Sequence, residues 1–482
     1  MNPARFALAL VPAGIAGVLL DAVLQGVGAG AAPAAVVSIA VAVAFASWLV
    51  RRLPPDLDDS LRKHTILAVL WFAFGVATVA ATARLATFMV DGTRVERSIY
   101  PFDEFFVHHS CLSAHYRSAS LQRDGVANVY ERTNFEGPGG EPRFLGPFVI
   151  DIFIYPPPFL LLSRLGLALS EDFATWRAVW FGIEGAIVAA GLVAVALSIG
   201  GAVGRRALVL ALLVWFSVPL LATLQFGNFH LVAITGSVLA MLAIERGRHA
   251  LGGAVLAALT LGKIFPGILI LLLLFQRRWR SLAWVAGFAV LFLGLSWVVL
   301  GEAPFRAMLA YNLPRLSSGE AFESIFAHPD AIAASHSVFA LVQKLGLLGV
   351  PGASPGVAGA VTWLYSVVLV GCAWLGARVA TDARSSALVW LTLLQLTSLR
   401  SPFTPDTYAM FAVLWILTLL LAGVERPCWR AAGLVVLLVP ANYTVPTVEF
   451  MPLPALLVLS LVLQLLFMAL CLGVLIPRRA EV

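Results

Sequence analysis

Tyr100-Pro101-Phe102-Asp103-Glu104-Phe105-Phe106 stands inside residues 90–155, the one long hydrophilic insert in a sequence that is otherwise almost continuous hydrocarbon. Its two carboxylates follow directly on an apolar run and precede the rigid stretch Tyr155-Pro156-Pro157-Pro158. The chain therefore holds an acid pair close to a membrane surface, and the chemistry is expected there. Around it, 60% hydrophobic and 12% charged residues over 482 positions, with a mean hydropathy of +0.92, exclude an ordinary soluble domain, in which about 25% of residues are charged. The apolar runs recur with short breaks, most of them near the ~20 helical residues that cross the hydrocarbon. The fold class is an all-α polytopic membrane protein, built as one membrane domain.

Other classes are excluded in turn. Cys111, Cys372, Cys428 and Cys471 are scattered, so neither a disulfide framework nor a CxxC site is visible. The net charge of +6 is explained by topology, with no basic block of the nucleic-acid type. The apolar run 6–24 lacks a small-residue cleavage site and a second span follows at once, so it is expected to be retained.

Basic clusters mark the cytoplasmic side: Arg5; Arg51, Arg52, Arg62 and Lys63; Arg205 and Arg206; Arg246 and Arg248; Arg277, Arg278 and Arg280; Arg378 and Arg384; Arg426 and Arg430; Arg478 and Arg479. Each interval between clusters holds one out-and-back hairpin. The crossings fall at 6–25, 33–50, 65–88, 173–199, 206–223, 229–244, 249–262, 265–276, 281–300, 357–380, 385–400, 407–423, 431–443 and 454–476. That is about fourteen spans with both termini inside. The same register places 90–172 and 301–336 outside, with 159–169 a short interfacial helix and 339–348 a second interfacial or re-entrant piece. Three segments result: 1–64, a hairpin with a basic loop; 65–300, a core with outer loop 90–172; and 301–482, a C-terminal module with outer loop 301–336.

Every unusual polar motif between spans then falls on the outer face: Asp103 and Glu104, Tyr155, Gln225-Phe226-Gly227-Asn228-Phe229-His230, Lys263, His328, His336, Arg400-Ser401-Pro402 and Asp406. Lys263 sits in Leu261-Gly262-Lys263-Ile264-Phe265-Pro266, between two runs short for a full crossing, which sets its ammonium below the surface at a proline break. An ionisable group at such depth costs about 2.5–3.5 kcal/mol and marks function by default; the competing reading is a lysine snorkelling to headgroups. Glu184, mid-span, is read as a structural partner of Lys263 or of a neighbouring helix. Asp103 and Glu104, being adjacent, point different ways, so one of them faces the site. His108, His109 and His115 with Asp103 are a competing metal set, but their spacing matches no ligand pattern such as HExxH, and no metal or other cofactor is assigned.

The sequence resembles the bacterial polytopic GT-C glycosyltransferases that take a sugar from a polyprenyl phosphate, in particular the PimE-like mannosyltransferase group. The likeness rests on Asp103 in the first outer loop with Gly125 and Asn128-Val129-Tyr130 after it, the Tyr155 proline run, Gly227-Asn228 opening an apolar helix, the Lys263-x-x-Pro266 hairpin before Arg277-Arg278-Trp279-Arg280, and Ser401-Pro402. It covers residues 65–425. Where the family has Gly-Gln-x-Asn this chain has Gly227-Asn228-Phe229-His230, and two extra spans precede the core.

The resemblance implies a GT-C-type fold in the inner membrane with its active site on the periplasmic side. It further implies an inverting hexosyl transfer, of mannose or another hexose, from a polyprenyl-phosphate donor to a lipid or glycan acceptor. Asp103, with Glu104 beside it, would be the general base; Lys263 with Arg400 would neutralise the leaving phosphate; Tyr155, Asn228 and His230 would shape the sugar pocket. A secondary transporter is the rival, but it predicts inverted repeats and a polar cytoplasmic funnel, and neither is visible. A non-catalytic scaffold of envelope assembly is the third reading.

Overall fold

The computed structural model describes residues 3–52, 65–425, 428–442 and 451–476. Arg62, Lys63, Arg426, Arg478 and Arg479 of the basic clusters, and the last residue of the 431–443 span, lie outside the described residues. Helices occupy the expected positions along the chain. In order they are α1 (Pro3–Gly26), α2 (Ala31–Arg52) and α3 (Thr65–Val90), then in the insert α4 (Glu104–His108), β1 (His109–Ser110), α5 (Leu112–Arg123), β2 (Phe144–Leu145), β3 (Phe148–Ile150) and α6 (Pro157–Leu169). There follow α7 (Phe173–Ile199), α8 (Gly201–Trp215), α9 (Val218–Phe226), α10 (His230–Glu245), α11 (His249–Gly262), α12 (Ile268–Phe275) and α13 (Trp279–Leu300). After a run of short turns over 303–334 come α14 (Val338–Leu347), α15 (Pro355–Val379), α16 (Ala383–Ser398), α17 (Asp406–Ala422), α18 (Trp429–Ala441) and α19 (Leu453–Val474).

The fourteen expected crossings divide by length. Among the described residues, seven helices (α1, α2, α3, α7, α13, α15 and α19) are long and apolar enough to cross a membrane alone, and α8 with α9 makes an eighth if their 59° bend lies within one span. The bend has a local cause: Ser217 caps α9, its Oγ accepting from Leu220 N at 3.3 Å, and Pro219 in the first turn has no N–H to continue the ladder. The other apolar helices are shorter; α10, with 16 residues, rises about 24 Å against a hydrocarbon core of about 30 Å. The protein is an all-α polytopic membrane protein whose insert adds one small sheet.

Small residues set how closely the helices pack, as in other membrane bundles. A Cβ at Gly191 of α7 would lie 2.1 Å from Thr235 of α10 and one at Gly182 would lie 2.2 Å from Val23 of α1, so these axes approach at near-backbone contact. Through Gly26, Gly182 and Gly185 the first helix lies in the groove of α7. The insert is pinned to the same helix: buried Arg177 donates from Nη1 to Phe88 O at 3.1 Å and lies 3.9 Å over the Phe148 ring.

Candidate active site

The insert folds back on the α9–α10 junction through a buried amide. Gln225 Nε2 donates to Phe106 O at 2.5 Å and to Ser98 Oγ at 3.0 Å, while its Oε1 accepts from Ile99 N at 2.8 Å. The chain then turns at Gly227, in the left-handed region at φ +64°, and delivers Asn228 inward. Asn228 Oδ1 accepts from Lys263 Nζ at 2.7 Å and from His230 N at 3.0 Å. Its Nδ2 donates to Cys111 Sγ at 3.1 Å.

Lys263 reaches this point because α11 ends at Gly262 and a single turn over Phe265–Gly267 intervenes before α12. Its ammonium lies 6.0 Å from the Tyr155 ring centre and 5.5 Å from that of Tyr408. Desolvating it costs about 2.5–3.5 kcal/mol, of which one hydrogen bond to a charged donor returns about 1.5–3 kcal/mol. An ammonium has three protons, and Asn228 takes one in the only hydrogen bond to Lys263 Nζ among the described residues. Among the described residues no carboxylate forms an ion pair with it within 4.0 Å; Glu184, buried in α7, has neither carboxylate oxygen hydrogen-bonded and acts on the ammonium only through space.

A second polar chain leads away from Asn228. Cys111 Sγ lies 3.2 Å from Tyr408 Oη and 3.3 Å from His109 Nε2, and His109 Nδ1 lies 3.4 Å from Asp151 Oδ1. The sheet explains the arrangement. Strands β1 and β3 pair in parallel with His109 opposite Val149, and side chains on a strand repeat every two residues, so positions 109 and 111 run alongside 149 and 151. Ser113 Oγ fixes the next turn, donating to Val149 O at 3.0 Å and accepting from Asp151 N at 2.9 Å. Burial alone would push the His109 imidazole down, but the Asp151 carboxylate and the Cys111 sulfur together hold it well above the ordinary histidine value. Burial, and then the negative character of Cys111 and Asp151, pushes the Tyr155 phenol up.

The expected residues thus divide. Lys263, Asn228, His230 and Tyr155 are gathered in one cluster, with the His230 ring 5.0 Å from Phe265 and stacked on Tyr408 at 5.4 Å. Asp103 is buried as the N-cap of α4, its Oδ1 accepting from Phe105 N at 2.9 Å and Phe106 N at 3.3 Å. Glu104 is 92% exposed and faces His108 at 3.1 Å. Arg400 donates from Nε to Ser366 Oγ at 3.1 Å and lies 5.0 Å over the Trp363 ring, a set of partners separate from that of Lys263.

The histidine set is also redistributed. His108 turns to Pro147 O at 2.7 Å, and His115 enters an aromatic box. The residues missed in sequence are Cys111, Asp151 and Tyr408. Asp151 had a signal, a lone acid in Phe148-Val149-Ile150-Asp151-Ile152-Phe153; Cys111 and Tyr408 had none. A cavity of ≈ 440 Å³ lined by Asp21, Gln25, Asp91 and Arg94 between the first three helices shares no residue with this cluster.

A partly buried ammonium in a polar cluster, at the turns of a polytopic bundle, is suited to receiving an anionic group. The sequence profile of glycosyltransferase family 87 matches residues 153–402, just over half of the chain. The chain belongs to glycosyltransferase family 87. The matched segment of this family 87 member runs from Phe153 through Tyr155, Asn228, His230 and Lys263 to Arg400, and leaves Asp103 and the Cys111 loop outside it. No curated protein and no solved structure matches the chain. It is a multi-pass membrane glycosyltransferase.

Proposed function

We propose that this family 87 glycosyltransferase moves a hexose, with mannose the first candidate, from a polyprenyl-phosphate donor to a hydroxyl of a cell-envelope lipid or glycan on the outer face of the inner membrane. The observation that carries this reading is Lys263: a partly buried ammonium with a single neutral hydrogen-bond partner among the described residues, placed at the turn between two short apolar helices. As the sugar departs, charge develops on the phosphate, and a fixed cation in a low-dielectric groove stabilises it far more than water would. Asn228 holds the ammonium in place, and Tyr155 and His230 wall the sugar pocket.

Asp103 is assigned the general base in an inverting displacement, accepting the acceptor's proton as its oxygen attacks the anomeric carbon. Its burial and its two backbone N–H donors hold the carboxylate in one position. Glu104, solvated and turned to His108, is set aside. Lys263 alone is given the phosphate; Arg400 has its own partners, so Arg400→Ala is expected to lower transfer much less than Lys263→Ala. The three segments 1–64, 65–300 and 301–482 are retained as N-terminal hairpin, catalytic core and C-terminal module.

The test is transfer by purified protein in detergent from radiolabelled polyprenyl-phosphate-mannose to an envelope lipid extract. Wild type is expected to transfer, and Asp103→Asn and Lys263→Ala to lose at least about 100-fold, the scale for a catalytic base or a charge-stabilising group, while eluting as monodisperse species. Transfer that survives Asp103→Asn moves the base to another residue. Absence of transfer from any lipid-linked sugar sinks the proposal.

A further inference from the structure

We infer that His109, Cys111 and Asp151 form a binding site for a zinc-class divalent cation beside the Lys263–Asn228 cluster. One ligand atom from each residue lies within 4.8 Å of the other two. Tetrahedral zinc with bonds of about 2.0–2.3 Å sets neighbouring ligands about 3.3–3.7 Å apart. The His109–Asp151 and His109–Cys111 separations of 3.4 and 3.3 Å already have that length, though on different ring nitrogens. With one donor atom from each residue already within 4.8 Å of the others, closing to the tetrahedral spacing requires side-chain shifts of about 1 Å. Asp151 has room to move, with its side chain 24% exposed.

The donor set selects the metal. Thiolate, imidazole and carboxylate together suit zinc, whereas magnesium and calcium take all-oxygen shells. The surrounding contacts are those that hold metal ligands in place: the Asn228 amide donates to the sulfur, Tyr408 Oη lies against it, and Ser113 fixes the Asp151 backbone. Binding is charge-balanced, since the Cys111 thiol gives up its proton and thiolate and carboxylate together neutralise the dication. Three protein ligands leave a fourth position for an oxygen, the pattern of catalytic rather than closed structural sites; that this oxygen belongs to a substrate rests on the sugar-transfer reading, whereas the cation site itself does not.

The experiment uses full-length protein in detergent, stripped with chelator, and measures Zn²⁺ by competition with a chromophoric chelator and Co²⁺ by its sulfur-to-metal charge-transfer band. Wild type is expected to bind a single tight equivalent and to show the band. Cys111→Ser should abolish the band, and Cys111→Ser and Asp151→Asn should each weaken Zn²⁺ at least about 10-fold. Cys428→Ser, at an exposed position, should change neither. Because a variant can fail to fold, each is first checked by elution and thermal melting, and Cys111→His, which restores a soft donor, should recover Zn²⁺ binding without the band. Equal Zn²⁺ affinity in wild type, Cys111→Ser and Asp151→Asn, or a cobalt spectrum without the sulfur band, overturns the site. Sugar transfer that persists while Zn²⁺ binding is absent rejects this inference alone; Zn²⁺ binding without transfer rejects the other.

Discussion

His115 shows how much a single position depends on what surrounds it. It was grouped with His108 and His109 by spacing, yet its ring sits 5.5 Å from Phe153, 4.7 Å from Tyr155 and 4.8 Å from Phe159. Burial, and then the nearby charge of Lys263, pushes its imidazole down to about 3. The folded value lies below the unfolded one near 6.5, so between about 3 and 6.5 the unfolded chain binds a proton that the folded chain refuses. Stability therefore falls as pH drops through that window. Thermal melting in detergent from pH 7.5 down to 5 should show this loss, and His115→Gln should flatten it; an unchanged slope would remove His115 as its source. At this scale the sequence was readable where a residue was anomalous for its depth, as with Lys263 and the amide at Asn228. It was silent on Cys111 and Tyr408, whose roles come from partners separated by 297 positions along the chain.

Element positions were more accessible, because period and length are local properties. Long apolar runs gave α2, α3, α7, α13, α15 and α19 within a few residues, and the proline and glycine breaks gave the short arms around Lys263. The sheet in the insert was not readable: strands of two and three residues carry no periodic signal, and their pairing depends on a crossover of nearly forty residues. The most consequential turn is Gly227. Its φ of +64° disfavours any side chain, and an added Cβ would sit 2.7 Å from Leu112 at the start of α5. Gly227→Ala should destabilise the protein by about 1–3 kcal/mol, and because the same turn aims Asn228 at Lys263 and Cys111, sugar transfer should fall further than the melting temperature accounts for. Melting curves beside transfer rates, taken well below the transition, separate the two; a normal rate in folded Gly227→Ala would mean that the turn does not position the site.

Across the whole molecule the C-terminal helix is joined to the site by buried polar contacts. Lys344 of α14 is fully buried and donates to Ser460 Oγ at 2.7 Å and Gln464 Oε1 at 3.2 Å on α19. Gln464 Nε2 in turn donates to His336 O at 2.6 Å and Ser337 O at 2.9 Å. That segment is stitched to the loop before α17: His336 N donates to Thr404 O at 2.7 Å, four residues ahead of Tyr408, and Ser337 Oγ to Pro402 O at 2.6 Å. Composition alone could not reveal this, since Gln464 looks like one polar residue in an apolar span. Gln464→Leu would strip Lys344 of one acceptor and remove the side-chain donor from His336 O, while Ser337 O keeps Leu341 N at 3.0 Å. The expected loss is about 1.5–3 kcal/mol, the scale of a hydrogen bond to a charged group, since Lys344 keeps Ser460 Oγ at 2.7 Å. Lys344→Met with Gln464→Leu should recover much of it, because replacing both partners with apolar groups of similar volume removes the stranded charge. Unfolding of the two single variants and the double variant in one detergent measures the coupling directly. If the losses simply add, α19 is held by apolar packing alone, and the polar line from the C-terminal helix to Tyr408 carries no stability.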